Sequence, residues 1–226
     1  MKDILNKRFS TVQMFLTVFF VVTLVASNII ASKQIALPFG ITMPAAVILF
    51  PITYILSDLF SEVYGYKWSR ITNYIGIVMN LFVVSTFLIA IALPTPSFYG
   101  LQEAFSAVLG STPRMLIAST LGLYIGDLAN DVVFKKMKTK HNNSHKGFKK
   151  RAIVSSIVGQ FGDSLVFVPI AFLGQMPVEA MLIMIITQPI LKITYEFLIL
   201  PVTEYLMKKV SAYERRLKVA ETSKNL

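Results

Sequence analysis

The sequence predicts an all-α fold: a polytopic membrane bundle of six transmembrane helices, in one domain over residues 1–226, with both termini cytoplasmic. Three observations lead there. Only 15% of the residues are charged and 54% are hydrophobic, whereas soluble domains carry about 25% charge. No charged residue occurs from Phe9 to Ser32, from Gln34 to Ser57 or from Ile71 to Gln102. Each run exceeds the roughly 20 apolar residues needed to cross a bilayer. Finally, the net charge of +10 is unevenly placed. With the N-terminus inside, Lys2, Lys7, Arg8, Lys67, Arg70, the run 135–151 and the tail from Lys208 all fall on the inner side, and only Lys33 and Arg114 fall outside. That is the positive-inside bias of membrane proteins.

The spans are expected at about 11–32, 44–63, 70–93, 113–134, 152–174 and 178–207. The first follows a short basic start. It lacks a small-residue cleavage site before a soluble domain, so it reads as a retained helix rather than a signal peptide. Pro44, Pro113 and Pro177 stand where the second, fourth and sixth spans open, a position that tolerates proline. Ser111 and Thr112 are candidate caps for the fourth. Pro51, Pro169 and Pro189 stand inside spans, where proline breaks a backbone hydrogen bond and often lines a cavity. Between the third and fourth spans, Phe98, Leu101, Phe105 and Val108 share one face of an amphipathic helix lying on the outer surface. Ala118, Gly122 and Gly126 recur at four-residue spacing, which lets helices approach closely. Internal packing is the preferred reading of that stripe, and a homo-oligomer contact the weaker one. The run KKMKTKHNNSHKGFKKR (135–151) is expected to be a basic cytoplasmic loop touching anionic lipid headgroups. Its confinement to one membrane face argues against nucleic acid as a partner. His141 and His145 lie in it without a third ligand, so no metal site is expected. The chain has no cysteine, which removes disulfides and thiolate metal sites.

Polar residues inside the spans carry the chemistry, because charge at membrane depth is expensive and marks a pathway or a pair. Gln188, Lys192 and Glu196 are spaced four and four, so they share one face of the sixth helix. Gln160 and Asp163 lie one turn apart on the fifth, with Phe167 continuing the same face. At about 1.5 Å per residue, Asp163 lies about 18 Å from the inner start of its span and Lys192 about 21 Å from the outer start of its own. Asp127 lies about 20 Å from the outer start of the fourth span, so these three can meet near the middle, or just inside it, of a hydrocarbon core about 30 Å thick. Asp58 reaches a similar depth, while Glu62 and Asp131 lie one turn nearer the cytoplasm. SDLFSEV from Ser57 and GDLANDV from Gly126 echo one another, each with two acids four apart. The bland reading is an ion pair between Lys192 and Asp163 or Glu196 that fixes helix register. Several acids against one lysine leave surplus negative charge, which a purely structural pair does not need.

Enzyme chemistry fits poorly. HExxH is absent, GQFGD lacks the second glycine of an intramembrane aspartyl protease, and Asp127 with Asp131 has no partner metal cluster. A central lysine and the lack of a filter loop argue against an ion channel. No cofactor is expected.

The pieces ASNIIASK (26–33), FPITYILSDLFSEVYGYKWSR (50–70), GDLANDVVF (126–134), GQFGDSLVF (159–167) and KITYEFLILP (192–201) resemble the queuosine precursor transporter family, small vitamin-uptake-like membrane proteins with six helices. The resemblance covers most of the chain. It implies import of free deazaguanine bases across the bacterial plasma membrane for queuosine salvage, and carries substrate contact to Asn28, Asp58, Gln160, Asp163 and Lys192. The residue chemistry agrees. A guanine-type edge offers two adjacent N–H donors and a carbonyl. A carboxylate takes both donors, and a lysine or amide serves the carbonyl. Phe167 offers a stacking face and Gln188 a further amide. Glu62, Asp127, Asp131 and Glu196 form a secondary or proton-coupling set. The rival reading is a substrate-binding subunit of an ATP-driven vitamin or nucleobase importer. That role needs a small-residue docking face, of which Ser27 and Ala31 on the first span offer only a fragment.

Overall fold

The computed structural model describes residues 10–140 and 148–224. Six helices among them are long and apolar enough to cross a membrane. The first, α1 (Thr11–Ile30), starts at Ser10, whose hydroxyl accepts the Gln13 N–H at 2.9 Å. The chain then reverses through a short antiparallel hairpin, β1 (Gln34–Ala36) and β2 (Thr42–Pro44), an element the all-α reading did not include. Its turn closes through Leu37 N–H to the Ile41 carbonyl at 2.8 Å. Phe39 and Gly40 there take φ of 66° and 73°, a region open to glycine and strained for phenylalanine. The Phe39 ring is fully exposed at the tip.

The second span begins as a 3-10 turn at Ala45–Leu49, becomes α2 (Phe50–Leu59), and ends in a π turn at Phe60–Tyr64. Pro51 is therefore a first-turn residue of α2 and not an interior kink. Its fixed φ suits the change of helix type, and its missing N–H costs nothing there. Gly65, at φ 87°, breaks the path into α3 (Tyr66–Ala92). The surface helix is α4 (Gln102–Leu109), tied to the end of α3 by the Gln102 amide donating to the Ile91 carbonyl at 3.2 Å. Phe98 and Leu101, expected on the face of this helix, lie in the turns before it and are exposed, while Val108 is exposed and Phe105 half-buried on the helix itself.

Three long helices complete the chain: α5 (Thr112–Lys140), α6 (Phe148–Phe172) and α7 (Val178–Lys224). Two expectations need correction. The basic run 135–151 is mostly helix, since α5 continues to Lys140 and α6 begins at Phe148. The run has no proline or glycine before Gly147 to stop a helix that emerges from the membrane into water. His141 and His145 lie outside the described residues. Ser111 and Thr112 do not act as side-chain caps of α5. Their hydroxyls donate backward to the Val108 and Leu109 carbonyls at 2.7 and 2.6 Å, closing the end of α4 instead.

Packing separates two ends. At the hairpin end, Ala31, Met43, Ala46, Met115, Ala118, Phe167, Val168, Ala171, Phe172, Met181 and Met184 form a buried apolar cluster. At the end holding the chain termini, Phe20, Leu56 and Phe60 join α1 and α2, with Trp68 of α3 against them. There Glu214 of α7 accepts hydrogen bonds from Ser10 and from the Tyr64 hydroxyl, latching α7 to α1 and the π turn. The most extensive helix pairing is α5 with α6, and α7 lies between α6 and α2. Phe15, Val22, Phe82, Leu128 and Leu198 are among many large apolar side chains left exposed around the bundle. So much outward apolar surface has only lipid as a suitable solvent.

Candidate functional site

Glycines fix where the site can form. A Cβ on Gly122 would stand 2.5 Å from Asp163 Oδ1, and one on Gly126 would stand 2.8 Å from the Gly159 carbonyl. Gly159 meets the Gly126 carbonyl in return, at 2.9 Å. The bare backbone of α5 thus lies directly on α6 and leaves room for the Asp163 carboxylate beside it. Such contact is the main source of helix affinity in lipid, where no hydrophobic force draws helices together. The small-residue stripe packs internally, as preferred, with Ala118 fully buried in the same seam.

Across that seat, α7 delivers Lys192. Its ammonium forms a salt bridge to Asp163 Oδ2, with the two side chains only 10% and 19% exposed. The ammonium also stands 5.2 Å from the centre of the Phe50 ring on α2, within cation–π range. The pair predicted from helix depth is therefore formed, and α2 completes it.

Because α2 and α7 run in the same direction, their side chains stack in matching layers. Phe50, Tyr54 and Asp58 repeat at four-residue spacing, as do Gln188, Lys192 and Glu196. Phe50 stands at Lys192, Tyr54 lies in the field of Glu196, and Asp58 lies in that of Glu196 as well. Tyr54 also stands beside Gln160 and Asp163. The result is one polar tract between α2, α6 and α7. It runs from the ion pair, through Tyr54 and Gln160, to the carboxylates of Glu196 and Asp58. On the hairpin side the tract meets the apolar cluster, and towards the end where α1 begins Asp58 is exposed.

The remaining predicted residues scatter. Gln188 lies one turn hairpinward of Lys192, 1% exposed, with no hydrogen-bond partner for its Oε1 among the described residues. Phe167 is 9% exposed and meets Phe172 edge-on at 5.8 Å inside the apolar cluster. The Asn28 amide donates to Asn80 Oδ1 at 2.9 Å, which ties α1 to α3 rather than to the ion pair. Asp127 is exposed on α5, in the field of Asp131, Arg70 and Asp163. Asp131 pairs on the surface with Lys135 at 3.7 Å. Glu62, in the π turn, lines a groove of about 350 Å³ with Glu204, Lys208 and Arg215. The echo of SDLFSEV and GDLANDV thus breaks down in space. One copy ends in a π turn and the other continues as helix. Phe50, Tyr54 and Arg70 were not singled out in the sequence, although the four-and-four spacing of Phe50, Tyr54 and Asp58 was there to be read.

A family model described as "Putative vitamin uptake transporter" matches residues 44–206, which includes every layer of the tract. The chain belongs to that family. It is a multi-pass membrane transporter with a small-molecule substrate. A protein of Bacillus subtilis (strain 168) described as "Probable queuosine precursor transporter" is 22% identical over 193 residues, covering 85% of this chain and 82% of its own. No solved structure matches the chain.

Proposed function

We propose that this transporter is a self-sufficient carrier that imports free deazaguanine bases, the precursors of queuosine, across the bacterial plasma membrane. The observation that carries this reading is the ion pair of Asp163 and Lys192, held in a tract bounded by the apolar cluster at one end and by the acids Glu196 and Asp58 at the other. In the proposed complex, Asp163 accepts the two adjacent N–H donors of the guanine-type edge while Lys192 or Gln160 serves the carbonyl. Glu196 and Asp58, at that second end, suit a precursor that bears an aminomethyl cation. Asn28, Gln188, Asp127, Asp131 and Glu62 are placed farther from this centre and act, if at all, on helix movement or proton access. The similarity to the B. subtilis protein supports the substrate class.

A role as the binding subunit of an ATP-driven importer is the weaker reading. Ala31 is 3% exposed and the Ser27 hydroxyl is buried, so the small residues of α1 are covered by this chain itself. The test is uptake of a tritiated deazaguanine base by purified protein in liposomes that contain no ATPase. Saturable uptake supports the carrier. Uptake that appears only when an ATPase partner is added supports the subunit, and no binding of the base under either condition refutes the substrate class.

A further inference from the structure

We propose that Phe50 and Tyr54 form the wall on which the substrate ring stacks. This rests on the planar-base reading above and adds the residues that hold the ring. The two aromatic centres are 6.4 Å apart at 52° on one face of α2. Both side chains are half-buried, so each keeps part of its surface uncovered. Pro51 rigidifies the turn that carries Phe50. The Phe50 ring turns its face to the Lys192 ammonium. A π face that receives a cation is the surface a flat heteroaromatic ring needs, and stacking is tolerant of the ring's identity.

Phe167, the aromatic that the sequence placed on the polar face of α6, is occupied by Phe172 in the apolar cluster.

The experiment measures KM for a tritiated deazaguanine base in proteoliposomes, with the folded fraction of each variant checked by gel filtration in detergent. Phe50→Leu is expected to raise KM by about 10-fold, the scale of a lost base–aromatic stack, and Phe50→Trp to hold it near the wild-type value. Phe167→Leu is expected to leave KM unchanged. Tyr54→Phe keeps the ring and is expected to hold KM near the wild-type value, and Tyr54→Leu to raise it. Wild-type KM in both Phe50→Leu and Tyr54→Leu overturns the wall. Absence of base uptake and binding by the wild-type protein overturns the functional reading instead, and this inference with it.

Discussion

Asp163 is seated where a side chain on its neighbour would not fit, and its charge is matched by Lys192. The carboxylate keeps acceptor capacity beyond the single ammonium contact, because an ionised carboxylate has about four lone-pair sites. Asp163→Asn preserves the volume, removes the charge and turns one acceptor into a donor. The expected outcome is protein that inserts and purifies normally but loses most uptake. The loss of a charged partner in a buried contact is about 2–5 kcal/mol, so initial rates at low substrate should fall at least about 30-fold. Near-wild-type uptake would move edge recognition to Asp58 or Asp127. This residue was legible because polarity in an apolar run is conspicuous, and depth arithmetic alone paired it with Lys192. Phe50 and Tyr54 were not, because an aromatic residue in an apolar run looks like every other membrane residue. Phe167 shares the face of Gln160, and it packs in the apolar cluster beside the seat of Asp163. Seven residues beyond Gln160, it keeps the same face but stands about 10 Å along the axis, which carries it into the apolar cluster. Arg114, an exception to the charge bias, also has a local cause. Its guanidinium donates to the Ile170 and Leu173 carbonyls at 2.5 and 2.6 Å, satisfying acceptors that the end of α6 leaves open.

Helix elements divide the work between rigid and adjustable contacts, and the glycines of α5 separate the two. A Cβ on Gly126 would meet the backbone carbonyl of Gly159, which cannot yield without moving the helix. A Cβ on Gly122 would meet first the Asp163 carboxylate, the end of a side chain that can rotate, with the Asp163 carbonyl close behind at 3.1 Å. Gly126→Ala is therefore expected to lower the thermal midpoint of the purified protein by several degrees, in line with an overpacking cost of about 1–3 kcal/mol. Gly122→Ala is expected to leave that midpoint closer to wild type and to reduce uptake about tenfold or more, because a displacement near 1 Å at a binding group suffices. Equal loss of stability in both variants would show that α5 and α6 respond as one rigid seam and that Gly122 has no separate part in the site. The sequence carried this seam as a four-residue repeat of small residues. It did not carry the hairpin after α1 or the π turn after α2, because each depends on contacts far along the chain. Met43 is buried against helices that begin some 70 residues later, and Tyr64 is held by Glu214.

Across the whole molecule the polar tract meets the apolar cluster at the hairpin end, while its acid Asp58 is exposed towards the end where α1 begins. The charge bias predicts a cytoplasmic location for that second end: a reporter joined after Lys140 should label there and one at Ser97 should label outside, and reversed labelling would invert the orientation. On the proposed carrier reading, the protein returns without substrate after each delivery. An unmatched Asp163 would then have to cross the least polar part of the protein, which is costly for a bare charge. On that reading Lys192 removes the cost, since its ammonium pairs with the carboxylate that the substrate would otherwise use. Exchange of internal for external base skips the empty return, so the two transport modes separate this role from others. Lys192→Met should depress net uptake into empty liposomes far more than exchange in liposomes preloaded with base, by about tenfold in their ratio. Equal depression of both modes would make Lys192 a direct substrate contact and no more. Full activity in both would leave it a pin for the register of α6 and α7, the role that a buried ion pair can fill without any part in transport.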